Sequence, residues 1–345
     1  MKNNIFVWAP NFNQNDGIST FSRELVSGLE DIKGDKIDIF KYDTEIVSNK
    51  YIKNSLLKKI NQSRVFNKLS FSFFLFLAAL IKRPNLIIVT HAHYASLAYI
   101  VKKLLSIPYI VVAHGIEIIP TMTLSKLTKF RIKSLKEANT IWSVSEWTKS
   151  HLIKLNIEEG KIKILPNTFD SYQFNIGEKK DYLLKRYSIK PNEKIILTVS
   201  RIDKREGYKG HEKILESLPK VIESVGSVKY LIVGRNNNED NISLLIKKYK
   251  LENQVILCGF VPDKELTDHY NISNMFAMPS YGEGFGIVFL ESLSCGIPVL
   301  GGNKDGTFTT LLEGKLGKLV DPNNTNEITS AIISTLSEKT NREHL

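Results

Sequence analysis

The chain has 345 residues, 42% of them hydrophobic and 24% charged, which describes a folded globular protein too long for one compact core, so two domains are expected. Its formal net charge of +11 lies mostly in the first half: residues 1–170 hold 24 Lys and Arg against 14 Asp and Glu, and residues 171–345 hold 23 against 22. Two cysteines inside apolar segments, Cys258 and Cys295, exclude a disulfide framework, and the absence of a long apolar stretch, at the start or elsewhere, leads to the expectation of a cytoplasmic protein.

Ile5 to Trp8 reads as a short buried strand. It feeds a polar loop, Ala9 to Gly17, and a helix predicted from about Ser19 to Leu29. The loop lacks G-x-G-x-x-G, which argues against a standard nicotinamide site; Asp16-Gly17 is its turn signal. Lys36 to Tyr42 is the second strand. A basic amphipathic stretch follows from Lys53 to Ile81, with Leu56, Leu57 and Ile60 set among Lys58, Lys59, Arg64 and Lys68. Within it, Phe71 to Ile81 reads as a core helix, and Pro84 ends it. Leu86 to Val89 is a continuous apolar run of the parallel-sheet type. It delivers Thr90, His91 and His93, and a helix from Tyr94 to Leu105 comes next. The strand Tyr109 to Ala113 then delivers His114-Gly115-Ile116-Glu117. Ligands collect at the carboxyl ends of strands in an open parallel sheet, which makes His114 and His91 candidates. His91 and His93 do not have the spacing of a zinc site. After a helix bearing Lys126, Lys129, Arg131, Lys133 and Lys136 come a strand from Thr140 to Val144, a helix capped by Ser145, and a strand from Ile162 to Leu165.

From Ile46 to Lys136 there are fifteen Lys or Arg and one acidic residue, Glu117. Such a field favours an anionic partner. A basic face beside apolar residues is the composition of an element that lies on an anionic membrane surface. Nucleic acid is disfavoured, because the basic residues are not interleaved with the aromatic pattern of a stacking platform.

A polar linker is read from residues 169 to 192, between a first domain at 1–168 and a second at 193–345. The alternation then restarts. Lys194 to Val199 is a strand with Arg201 at its carboxyl end, and Lys209-Gly210-His211 opens a helix to about Glu223. An arginine fork and a lysine point charge together suit a diphosphate. Lys229 to Val233 and Gln254 to Leu257 are strands, the latter delivering Gly259, Phe260 and Val261. Met275 to Met278 is a buried strand. It runs into Glu283-Gly284-Phe285-Gly286 and a helix from Ile287 to Cys295 that carries Val288 and Glu291. A glycine-rich turn at a helix N-terminus suits an anion, since free N–H groups and the positive end of the helix dipole face one spot. Eight helical residues span roughly 12 Å, so Glu283 and Glu291 read as acceptors gripping two parts of one polar ligand rather than the close pair of a retaining glycosidase, about 5.5 Å apart.

E-G-F-G-x4-E, followed by S-x-x-C-G-x-P-V and Gly301-Gly302, resembles the signature of the retaining glycosyltransferases of family 4. That resemblance implies an α/β protein of the GT-B fold, two Rossmann-like β/α/β domains facing across a cleft. It implies transfer of a hexose-type sugar from a UDP- or GDP-linked donor, without a further cofactor, to a glycan or lipid-linked acceptor. In the family pattern His114 touches the donor sugar, Arg201 and Lys209 meet the diphosphate, and Glu283 accepts from the sugar. Glu291 accepts from the ribose, Gly259 to Val261 border the base, and Gly17 with Gly284 to Val288 line the donor. No Asp-x-Asp metal site is present in the sequence, so metal-independent transfer is expected, the cations doing a metal's electrostatic work. Two alternatives remain open: a sugar-nucleotide epimerase of similar fold, and a non-catalytic nucleotide-sugar-binding subunit.

Overall fold

The computed structural model describes residues 4–10, 12, 16–31, 36–41, 64–118, 126–235, 239–338 and 342. The chain divides into two compact units, residues 1–168 and 169–345.

The first unit holds six parallel strands: β1 (Asn4–Trp8), β2 (Lys36–Phe40), β3 (Leu86–Val89), β4 (Tyr109–Ala113), β5 (Thr140–Ser143) and β6 (Ile162–Ile164). Their order across the sheet is β2-β1-β3-β4-β5-β6. Side chains alternate between the two faces, so Phe6 and Trp8 enter one apolar cluster while Ile5 and Val7 enter another. Burial on both faces is why these strands read as continuous apolar runs. Helices Gly17–Asp31, Arg64–Lys82, Ala95–Leu105, Lys126–Lys136 and Glu146–Lys154 cover the sheet. The last of these starts where Ser145 accepts from the Thr148 N–H at 3.1 Å, a side-chain cap.

The helix Arg64–Lys82 corrects the reading of Phe71 to Ile81 as wholly core. Phe71, Leu75 and Ala79 are buried at four-residue intervals, whereas Leu69, Phe73, Leu80 and Ile81 are exposed. The segment is apolar all round, but one face of it packs on the sheet. Residues 53–63 of the basic stretch, with Lys58 and Lys59, lie outside the described residues.

The second unit repeats the design with β7 (Lys194–Val199), β8 (Val228–Val233), β9 (Val255–Gly259), β10 (Met275–Met278), β11 (Val299–Gly302) and β12 (Lys318–Val320). All pairings are parallel, and the order is β12-β11-β10-β7-β8-β9. Ile196 and Met275 face one core, and Ile195, Leu197 and Phe276 face the other. The segment expected as a linker, 169–192, is part of this unit. It carries the helix Asp181–Arg186, and Phe174, Leu183 and Ile189 are buried in the unit's core.

Each sheet contains one reversal of strand order. In the first the chain steps outward from β1 to β2, then returns to β3 on the other side of β1. In the second it runs β7 to β9, then places β10 on the other side of β7. Crevices outside the carboxyl ends of strands at such reversals are where open α/β sheets bind ligands.

Candidate active site

The reversal between β7 and β10 gathers most of the candidate residues. Arg201 is exposed just past the carboxyl end of β7. A short 3-10 segment, Lys204–Lys209, then leads to Gly210, whose φ is +83°. A Cβ at Gly210 would stand 2.4 Å from the Pro279 carbonyl oxygen, so only glycine lets the loops after β7 and β10 meet main chain to main chain. The Tyr281 N–H donates to the Tyr208 carbonyl at 3.0 Å across the same seam.

This seam brings Lys209 onto Glu283. The ammonium donates to carboxylate Oε2, and both side chains are largely shielded, 12% and 18% exposed. The ammonium also lies 5.0 Å from the Tyr208 ring centroid. A cation and an anion with little access to water hold each other until a ligand offers each a replacement.

Asp305, in the loop after β11, fixes the Glu283 turn from behind. Its Oδ2 accepts from Ser280 Oγ at 2.6 Å and from the Glu283 N–H at 2.8 Å, and its Oδ1 accepts from the Thr307 N–H at 3.0 Å. Burial raises its pKa to about 6, against the opposing effect of those donors. The Gly306 N–H donates to the Glu283 carbonyl at 2.8 Å, and a Cβ at Gly306 would come within 2.0 Å of the Gly284 oxygen. Gly284, Phe285, Gly286 and Ile287 are buried beneath this brace, with Val288 half-buried. The helix Ile287–Ser294 begins at Gly286 with no side-chain cap, and the Phe289 N–H donates to the Gly286 carbonyl at 3.1 Å.

Glu291 lies in that helix, 9% exposed. Its Oε2 accepts from the Tyr270 hydroxyl at 2.8 Å. Burial pushes the Glu291 carboxyl up to about 7, with the Tyr270 hydrogen bond pulling the other way. Further along the rim, Gly259 ends β9 and Phe260 follows it; Phe260 is 53% exposed, while Val261 is buried. Tyr270, which holds Glu291, is one residue of the candidate site that sequence reasoning missed, and His211 is another. His211 is buried, its Nε2 lies 2.8 Å from Ser200 Oγ, and burial pushes its pKa down to about 4. An imidazole held neutral there steadies the loop that carries Arg201.

In the first unit, Asp16 caps the helix Gly17–Asp31, its Oδ1 accepting from Ser19 N and Oγ at 2.8 Å each. Gly17 is exposed in open space, with nothing within 4 Å of where a Cβ would stand. His114, past the end of β4, is buried against Phe21, ring centroids 5.1 Å apart. Its Nε2 lies 2.9 Å from the Thr90 carbonyl, so that nitrogen carries the proton, and the Glu117 carboxylate accepts from its backbone N–H. Burial pushes its pKa down to about 4. It therefore remains a neutral imidazole, with Nδ1 as an acceptor. His91 and His93 turn toward each other, Nδ1 to Nδ1 at 2.9 Å. Among the described residues no group of three His, Cys, Asp or Glu could hold a metal ion.

Two doubly wound parallel sheets of Rossmann type, one per unit, define the GT-B class of α/β proteins. The structural neighbours agree. Sucrose-phosphate synthase of Thermosynechococcus elongatus superposes with a TM-score of 0.78 at 18% identity, over 98% of this chain and 90% of that one. The Anabaena protein HepE, solved with UDP-glucose, gives 0.73 at 17% identity, over 98% and 91%. The model described as "Glycosyltransferase Family 4" matches residues 15–172, and that of "Glycosyl transferases group 1" matches 180–345. The chain belongs to glycosyltransferase family 4.

Among curated relatives, a GDP-mannose-dependent alpha-(1-6)-phosphatidylinositol monomannoside mannosyltransferase of Mycolicibacterium smegmatis is 26% identical over 210 residues, 59% of this chain and 54% of that one. O-antigen chain mannosyltransferase B of Escherichia coli is 28% identical over 217 residues, 61% and 55% respectively. The chain spans about half the length of these relatives.

Proposed function

We propose that this protein is a retaining, metal-independent glycosyltransferase that moves a hexose from a UDP- or GDP-sugar to a glycan or lipid-linked acceptor in surface polysaccharide synthesis. The observation that carries the reading is the Lys209–Glu283 pair at the strand reversal of the second sheet, one residue before the Gly284–Gly286 turn. On donor binding the diphosphate takes Lys209 from Glu283, and Arg201 joins it. The uncapped N-terminus of the helix Ile287–Ser294 adds N–H donors. Charge that develops on the leaving diphosphate thus meets fixed cations and dipoles. Glu283, released, accepts from hydroxyls of the sugar. Glu291, ionised, accepts from the ribose. Within the first unit, His114 is a neutral imidazole past the carboxyl end of β4, with Nδ1 as an acceptor.

The membrane part of the reading rests on the first unit's surface. Leu69, Phe73, Leu80 and Ile81 are exposed on one helix, Ile100 and Leu104 on the next and Phe130 on a third, with Lys103, Lys129 and Lys133 exposed among them. Exposed apolar residues and lysines on the same three helices fit a peripheral contact with an anionic bilayer on the cytoplasmic side, where a lipid-linked acceptor would lie. Among the described residues no helix is long and apolar enough to cross a membrane.

The deciding experiment incubates the purified chain with UDP- and GDP-hexoses and a lipid-linked acceptor, with a chelator present. Glycosylated product with the donor's anomeric configuration is expected. Inverted product, or turnover that needs an added divalent metal, would overturn the retaining or the metal-independent part. A sugar-nucleotide epimer as product would replace the reading.

A further inference from the structure

Three strand ends of the second sheet are tied together beside the diphosphate clamp. The Ser200 N–H donates to the Val233 carbonyl at 2.9 Å, the Ile202 N–H to the Arg235 carbonyl at 2.9 Å, and the Gly234 N–H to the Gly259 carbonyl at 2.8 Å. These bonds seat Arg235 and Phe260 on one rim with Arg201. The Arg235 guanidinium lies over the Phe260 ring, 5.3 Å from its centroid, and that ring is 53% exposed. A guanidinium resting on an aromatic face is held in orientation by the ring, and its N–H groups point outward in its own plane.

We infer that Arg235, steadied by Phe260, reads the nucleobase of the donor, and that the base is guanine. This rests on the donor reading above. The argument is one of edges. A planar fork of N–H donors is satisfied by two acceptors side by side, and guanine presents O6 and N7 in that arrangement. Adenine offers N7 beside an amino donor, which the fork cannot pair. Uracil presents a single carbonyl beside a C–H. With the diphosphate at Arg201 and Lys209, a base reaching along the rim toward β8 and β9 meets Arg235 edge-on.

Calorimetric titration of the whole chain tests this with GDP, IDP, 7-deaza-GDP, ADP and UDP. GDP and IDP, which share O6 and N7, are expected to bind alike and about tenfold or more tighter than ADP or UDP. 7-Deaza-GDP, lacking the N7 acceptor, is expected to fall between. Arg235→Ala should weaken GDP about tenfold and leave UDP within about twofold, the change expected on losing one bidentate contact. Arg235→Lys should keep part of the preference for GDP, because an ammonium also donates to O6 and N7 but lacks the fixed fork. Arg235 is exposed, so these variants should melt as the parent does. UDP binding as tightly as GDP would overturn the inference, and so would an equal loss of GDP and UDP in Arg235→Ala, which would make Arg235 a phosphate contact. If none of the five nucleotides binds, the donor reading itself fails.

Discussion

Glu291 should make the unliganded protein less stable as the pH rises. Its carboxyl is buried, which holds its pKa at about 7 against an ordinary value of 4.5. Between those values the folded chain keeps a proton that the unfolded chain has released. Its contribution is therefore fully present below pH 4.5 and is lost as the pH climbs through 7. At about 1.4 kcal/mol per pH unit the gap is worth about 3 kcal/mol in all, and about 2.5 kcal/mol between pH 5 and pH 8. Glu291→Gln keeps the shape and an acceptor for Tyr270 but has no proton to lose. Urea unfolding of both proteins at pH 5 and pH 8 provides the assay. Far-UV circular dichroism suits it better than fluorescence, because Trp8, Trp142 and Trp147 all lie in the first unit. The variant is expected to gain about 2.5 kcal/mol on the parent between the two pH values. Taking the difference removes Asp305, His114 and His211, which titrate in both proteins. Nucleotide binding should show the converse, since ribose hydroxyls donate to the ionised form: affinity should rise with pH through about 7 in the parent and stay flat in the variant. A stability difference that does not change with pH would refute the reasoning.

The clamp predicts that Arg201→Ala and Lys209→Ala each lose about 2–4 kcal/mol of transition-state stabilisation, read as kcat/KM. Near-parent rates in both variants would dismiss it. Glu283→Ala should retain binding of the bare nucleoside diphosphate, and even strengthen it by freeing Lys209, while sugar transfer is lost; calorimetry and a turnover assay separate the two. On anionic vesicles the protein should co-sediment, fall off with added salt, and weaken when Phe73 and Ile81 become Ser. Equal binding to neutral vesicles would point to purely apolar contact, and no binding at low salt would favour a soluble acceptor.

Much of the fold was legible because strands buried on both faces leave an unambiguous trace. Tyr109–Ala113, Lys194–Val199 and Met275–Met278 occupy the residues that their apolar runs predict. The helix Arg64–Lys82 was harder, since a segment apolar all round does not say which face is covered. Segment 169–192 looked like a linker because polar residues outnumber the few that dock, Phe174, Leu183 and Ile189. In the candidate site, Arg201 and His114 lie past strand ends and Glu283 before the glycine turn, where the sequence pattern put them. The partners that hold them did not show, because the contacts are long-range. Tyr270 and Glu291 are 21 residues apart in sequence, Lys209 and Glu283 are 74 apart, and no local pattern links either pair. Asp305 likewise does its work on the backbone of Glu283, 22 residues earlier. His211 carried no signal beyond its place beside Gly210.

Because the loops of the second unit are fastened main chain to main chain, at Gly210 against Pro279 and at Gly306 against Gly284, the form of the rim does not depend on the side chains that face the ligand. Frame and reading head are separate inheritances. On the base-reading proposed above, a descendant that altered Arg235 or Phe260 would acquire a new preference among donors while keeping the seam that presses Lys209 onto Glu283. A change at Gly210 or Gly306 would be felt at once along the whole seam. Variation in what this chain accepts is thus expected to accumulate at its outward-facing side chains, with the knotted backbone beneath them passed on unaltered.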